Sequence, residues 1–177
     1  NEVFTLLPDL SQKGMGQMTK DAQEVARELG ILPEEVIPAL YQAISAGVPK
    51  ENVMDFLRTA GAMSIGGVTD LKTAVDVLTS ATAAYAKEGL TAEEASDSLF
   101  QAMKGGKLTI TDISETIGRV LPVAAELGIG VKDLNAAFAV LSKTQKPAEA
   151  ITALRSAILA AGAATPEAEK LISQMGL

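Results

Sequence analysis

Leu71-Lys72-Thr73-Ala74-Val75-Asp76-Val77-Leu78-Thr79-Ser80-Ala81-Thr82-Ala83-Ala84-Tyr85 decides the fold class. Leu71, Val75, Leu78, Thr82 and Tyr85 fall at steps of 4, 3, 4 and 3. That spacing puts them on one stripe of an α-helix and on no single face of a strand. Outward in both directions the same period returns: Ile110, Ile113, Ile117 and Val120; Val131, Leu134, Phe138 and Leu141; Ile151, Leu154 and Ile158. Only Lys107–Thr111 alternates as a strand would, and it is too short to build a sheet.

Helix boundaries follow from punctuation. Thr91-Ala92-Glu93-Glu94 has the form of a capping box, in which the Thr oxygen and the N3 Glu satisfy orphan amides reciprocally. Thr165-Pro166-Glu167 reads as N-cap, Pro at N1 and an acid on the positive helix end, and Thr69-Asp70 and Thr111-Asp112 are similar starts. Pro33 and Pro49 suit first turns. Gly30, Gly47, Gly61, Gly89, Gly105-Gly106, Gly128 and Gly162 read as stops in the left-handed position after a helix. Pro38 and Pro122, inside apolar patterns, are expected to break or kink their helices. The prediction is an all-α fold of about nine short helices without a sheet, over 20–29, 33–46, 50–64, 69–87, 91–104, 111–127, 131–143, 147–161 and 165–175. Residues 1–19 are expected to be a connecting segment, and 20–177 a single helical domain. The start at Asn1 suggests a processed product or a piece of a longer protein, with no signal-peptide pattern at its head.

Composition removes whole classes of chemistry. The 177 residues include 15 Lys+Arg and 22 Asp+Glu, a net charge of −7, with no His, Cys or Trp. Without imidazole or thiol there is no Ser-His triad, no cysteine nucleophile and no ordinary zinc site. The acidic balance disfavours a phosphate backbone as partner. The longest uncharged run, Val36 to Pro49, is shorter than the roughly 20 apolar residues a bilayer span needs and contains two prolines.

An internal echo runs through the chain. Glu28-Leu29-Gly30-Ile31 returns as Glu126-Leu127-Gly128-Ile129. At that offset Glu35 meets Asp133, Val36 meets Leu134, Leu40 meets Phe138, Pro49 meets Pro147 and Val53 meets Ile151. Glu88-Gly89-Leu90 is a weaker third copy. Two readings are open: a duplicated helix hairpin in a solenoid-like array, or one cap-and-stripe grammar used repeatedly by an all-α chain.

No catalytic, cofactor or metal constellation is legible in the sequence. Ala62-Met63-Ser64-Ile65-Gly66 lacks the first Gly of a nucleophile elbow and reads as a helix end of small residues. Gly14-Met15-Gly16 and Gly128-Ile129-Gly130 follow no strand, so they read as loops or caps. Glu93, Glu94 and Asp97, like Asp112 and Glu115, crowd helix starts, where the backbone dipole wants negative charge. Were the chain a hydrolase, Glu93 and Asp97 would be its best carboxylates. Lys104 and Lys107 read as a solvated turn, and the aromatics, Tyr41 included, as core.

Several strings, in order, resemble the core region of phage tail tape measure (minor tail) proteins. They are Glu28-Leu29-Gly30-Ile31 with Val36-Ile37-Pro38-Ala39-Leu40-Tyr41-Gln42-Ala43-Ile44, Gly67-Val68-Thr69-Asp70-Leu71, and Leu99-Phe100-Gln101-Ala102-Met103-Lys104-Gly105-Gly106. Ile117-Gly118-Arg119-Val120-Leu121-Pro122, Ala124-Ala125-Glu126-Leu127-Gly128-Ile129 and Leu134-Asn135-Ala136-Ala137-Phe138 continue the series across roughly residues 22–160. Thr144-Gln145-Lys146 departs from the family, which often has Gly there. The resemblance implies a structural segment of a long helical protein that fills the tail tube, sets tail length and leaves as DNA is ejected. It implies tube, chaperone and baseplate proteins and further copies of itself as partners, a place in the virion tail, and host cytoplasm during assembly. It carries over no catalytic residue and no cofactor. A membrane-active module built on helices such as 69–87 is the alternative, and a wall hydrolase the least favoured. Ala81, Ala84, Lys87 and Glu88 are expected to form a small-residue flank that supports weak association, leaving the excised domain largely monomeric.

Overall fold

A computed structural model describes residues 11–162, and these form nine α-helices and no strand. They are α1 (Gln12–Leu29), α2 (Pro33–Ser45), α3 (Val53–Gly66), α4 (Leu71–Ala84), α5 (Ala92–Gly105), α6 (Ile110–Ile117), α7 (Leu121–Glu126), α8 (Val131–Leu141) and α9 (Pro147–Gly162), with a 3₁₀ turn at Ala86–Glu88 after α4. The expected helix at 165–175 and its Thr165-Pro166 start lie outside the described residues. The helix carrying the deciding stripe is central: α4 packs against α2, α3, α5, α6 and α7. Leu71, Val75, Leu78 and Tyr85 of that stripe are all core. Around it, α1 packs on α2 and α3, α5 on α8, and α9 on α6, α7 and α8.

Most helices reverse in one way. After α1 the Gly30 amide donates to the Arg27 carbonyl and the Ile31 amide to that of Ala26, a Schellman closure. The same pair recurs at Gly47 and Val48, at Val68 and Thr69, at Gly89 and Leu90, and at Gly128 and Ile129. Four of the five pivots are glycines at φ between 67° and 92°. The fifth, Val68, is held at φ 51° with its side chain 92% exposed. A β-branched residue is strained there, and its exposed side chain contributes no packing in return.

Where the boundaries differ from expectation, packing explains the difference. The first helix begins at Gln12, because Ser11 caps it: the Ser11 Oγ accepts the Gly14 amide at 3.1 Å. Gly14 and Gly16 are therefore helical, not loop, and Met18, expected in a connecting segment, is core. Asp70 rather than Thr69 caps α4, its carboxylate accepting the Thr73 amide at 2.8 Å. Thr109 rather than Thr111 caps α6, in a full capping box with Asp112. Pro49 precedes α3 by a turn instead of opening it. Pro122 does divide 111–127, since α6 ends at Ile117 and α7 restarts at Leu121 with Pro122 in its first turn. Pro38 does not interrupt α2, which runs unbroken from Pro33 to Ser45. The buried residues Val36, Ala39, Leu40 and Ala43 hold it.

Gly61 is not a stop. It sits inside α3, buried, where a β-carbon would overlap the Leu29 side chain. Gly106 ends α5 in extended backbone, and a β-carbon there would run into the Ala139 backbone and the Ser142 hydroxyl. These two glycines serve close approach between helices rather than left-handed turning.

Glycine at the fifth pivot removes strain without removing packing. Val68→Gly is expected to raise unfolding stability by about 1 kcal/mol, read as a higher urea midpoint at unchanged slope.

Candidate functional site

Of the carboxylates singled out above, Glu93, Glu94 and Asp97 belong to α5, whose start is fixed by Thr91. The Thr91 Oγ1 accepts the Glu94 amide at 3.2 Å, and the Glu94 carboxylate accepts the Thr91 amide at 3.1 Å. Donation from the Thr91 amide, and from its hydroxyl, holds the Glu94 carboxyl below its ordinary range. Glu93 and Asp97 are both exposed, one turn apart, but α5 lies between two grooves and they line different ones. Glu93 edges an open groove of about 750 Å³ with Val48, Asn52 and Phe56. Asp97 edges another of about 540 Å³ with Lys132 of α8 and Lys143 just beyond its end. A glycosidase pair must flank one scissile bond; these two do not share a cleft. Asp112 is engaged in the α6 cap, and Glu115 is exposed.

The remaining candidates are structural too. Ser64 is buried in α3 and donates to the Gly61 carbonyl at 2.8 Å, far from a strand-to-helix elbow. Gly128 and Gly130 form the α7–α8 turn. Lys104 and Lys107 are exposed on either side of the α5–α6 turn, where the Lys107 amide donates to the Ser142 Oγ at 3.1 Å. Among the described residues no three His, Cys, Asp or Glu side chains gather as a metal would require. Nor is any described helix long and apolar enough to cross a membrane. The helix on which the membrane reading rests, α4, spends its apolar residues on the core.

A further open groove, of about 910 Å³, runs between the end of α4 and α7. Ala83, Ala84, Ala86, Leu121 and Ala125 line it, with Lys87, Glu88 and Glu126 among its charged residues. Part of the expected small-residue flank is here, but Ala81 is not, being only 1% exposed and inside the core. Tyr85, just after α4, reaches the α7–α8 turn: its hydroxyl donates to the Ile129 carbonyl at 2.8 Å. Burial, with Glu88 nearby, pushes that hydroxyl up to about 12.

Two features escape a reading by periodicity. Asp76 accepts from the Gln42 Nε2 at 3.4 Å and the Ser114 Oγ at 3.3 Å, linking α2, α4 and α6. Tyr41, expected in the core, is 38% exposed beside Ile37 at 52%. The signal for the second was present: Val36, Ile37, Leu40, Tyr41 and Ile44 make α2 apolar over more of its surface than one stripe needs.

The geometry is that of a packed scaffold with open grooves, and comparison with known proteins agrees. The model of the family described as phage-related minor tail protein matches residues 19–177. The chain belongs to this family. A relative described as "Probable tape measure protein", from Clostridium phage phiCD119, is 25% identical over 117 residues. The match takes in 64% of this chain but only 12% of that protein, so the chain spans about an eighth of the relative's length. No solved structure matches. As a member of the minor tail family, the chain has a structural role in a phage tail.

The Tyr85 bond has a pH signature. Tyrosine charges by losing a proton, and the folded chain holds that proton up to about 12 against an ordinary value of 10.0. Its contribution is therefore complete below pH 10 and lost as pH rises from 10 towards 12. Tyr85→Phe is expected to unfold at lower urea at pH 7, by about 1 kcal/mol. It should also show a shallower stability loss than the parent between pH 10 and 12.

Proposed function

We propose that this chain is a tape measure segment: a helical length of a tail-filling protein that sets tail length and is expelled ahead of DNA. The observation that carries this reading is the family match over residues 19–177, joined by similarity to one stretch of a far longer phage protein named for that role. The site geometry is compatible with it. Glu93 and Asp97 face separate grooves, and the open grooves are walled largely by small and apolar residues. A protein that acts by extent needs rigid elements in series and surfaces for its tail neighbours, not a reacting centre. Its partners in this reading are the tube, chaperone and baseplate proteins of the tail and further copies of itself. Its place is the virion tail, reached from the host cytoplasm during assembly.

A tape measure makes length a property of the gene. In-frame deletion of residues 11–162 from the parent gene is expected to shorten the tails seen by electron microscopy. The ceiling is about 1.5 Å per residue removed, the rise of helices laid end to end. Tails of unaltered length would contradict the proposal.

A further inference from the structure

Two stretches of this acidic chain carry no acid at all. From Ser98 to Thr111 the charged residues are Lys104 and Lys107, and from Leu134 to Ala148 they are Lys143 and Lys146. The fold brings the two stretches together. Helices α5 and α8 pack side by side. The Asn135 Nδ2 donates to the Ser98 Oγ at 2.8 Å, and the Lys107 amide to the Ser142 Oγ at 3.1 Å. A β-carbon on Gly105 would stand 3.6 Å from that of Ala139, so the two backbones are close where the lysines leave them. Lys146 follows one tight turn on, where the Gln145 amide donates to the Leu141 carbonyl at 3.0 Å. Four of the 15 basic residues of a chain with net charge −7 therefore meet at one corner.

All four are exposed. The ion pairs among the described residues belong to Lys50 and Arg58, and these lysines take no part in them. A helix C-terminus favours a nearby cation, and α5 and α8 both end here. That accounts for each lysine singly but not for their convergence, because like charges set together repel.

Beside the lysines runs the groove of about 540 Å³ between α5 and α8. Ser98, Gln101, Ala102 and Gly105 form one wall, and Ala136, Ala139 and Val140 the other. Steps of three and four on both walls make a straight trough about two helical turns long, roughly 11 Å, of the form that receives the ridge of a third helix. The side chains along it are mostly small, and Val140 is 62% exposed. Charge along the trough is polarised. Towards the start of α5, Lys132 stands with Asp97 and near Glu94. Towards its end Lys143 lines the trough with no acid beside it in the wall.

We infer that this groove seats an acidic amphipathic helix of another polypeptide. Its apolar stripe lies on Val140 and the alanines, and its acidic turn lies over Lys104, Lys107 and Lys143. The lysines call for an acidic partner, and the trough calls for a peptide rather than a nucleic acid. A phosphate backbone gains nothing from Val140, and the described residues lining the groove include no arginine or aromatic side chain to meet bases. A helix fits better than an extended segment, since the described residues offer no sheet edge to extend. The seat does not depend on the tail reading.

Two turns of contact fall well short of a standard interface of about 1,600 Å², so the expected affinity is roughly tens of micromolar, weakening with salt. The probe is a fluorescein-labelled, alanine-rich helical peptide of about 15 residues. It carries leucines along one stripe and glutamates in its first turn, where the helix dipole favours them. Its control carries lysines in place of the glutamates. Titrated with the full 177-residue chain, the acidic peptide is expected to give a saturable rise in fluorescence anisotropy and the lysine peptide none. Lys104→Glu with Lys143→Glu should weaken binding about tenfold or more, and Val140→Ser severalfold with the lysines intact. The three positions are exposed, and urea midpoints equal to the parent's check that the fold is kept. On the parent chain, amide shifts on binding should centre on Gln101, Ala102, Val140 and Lys143, a map that decides the matter even if a variant fails to fold. No binding of the acidic peptide, equal binding of both peptides, full affinity in the charge-reversed chain, or shifts centred elsewhere would each overturn the inference. Tighter binding of a labelled DNA duplex than of the peptide would overturn it too and assign the lysines to phosphate.

Discussion

An α-helix leaves its last four carbonyls without partners, and a chain of short helices meets that deficit again and again. Here the longest described helix has 18 residues and the shortest six, lengths at which an isolated helix is marginal. Each must bury a face on a neighbour at once, which requires a tight reversal that also satisfies its carbonyls. The Schellman closure does both, and it appears five times. Around it the pattern is constant: a left-handed pivot, then most often an aliphatic residue that drops onto the core. Ile31, Val48, Leu90 and Ile129 all lie partly buried against it. Arg58 adds a charged tie at the first reversal, reaching Glu28 at 2.7 Å and Asp55 at 2.9 Å. Its guanidinium holds the Glu28 carboxyl below its ordinary range.

This dependence explains what could be read without coordinates. Apolar stripes and glycine pivots are local signals, so the all-helical class, the capping box at Thr91 and the division at Pro122 were legible. A glycine alone does not say which of its two uses is in play. Gly47 turns the chain left-handed, whereas Gly61 makes room for Leu29, a residue more than thirty positions away. Only packing separates them. The same holds for Met18, whose helix looks weak by propensity but gains a core contact, and for Pro38, whose lost backbone bond is outweighed by four buried neighbours on α2. At the candidate site, the lack of thiol and imidazole was plain from composition. That Glu93 and Asp97 diverge was not, since it depends on α5 being flanked by grooves on two sides.

A tail protein built of related helical units can grow by adding units, because each one presents the same kind of surface to the next. The stretches related by the internal echo, α1–α3 and α6–α9, differ where they meet different neighbours. Asn135 and Ser98 form a polar contact beneath α5, and Ile37 and Tyr41 stand at the corresponding apolar place. The α1 helix is continuous, while its counterpart is divided, which lets α6 and α7 both reach α4 and α9. Small side chains along the grooves keep helices close and surfaces shallow. Such a shape suits contact with other proteins of the tail more than capture of a small molecule.

The central claim is that repeated helix reversals, each closed by the same pair of hydrogen bonds, hold this fold. Amide hydrogen exchange followed by NMR tests it most directly, at the five amides that close each reversal: Ile31, Val48, Thr69, Leu90 and Ile129. The account predicts that all five exchange as slowly as the helices they terminate, although none of them lies within a helix. Exchange at the rate of an unstructured loop, with the helices themselves still protected, would contradict it.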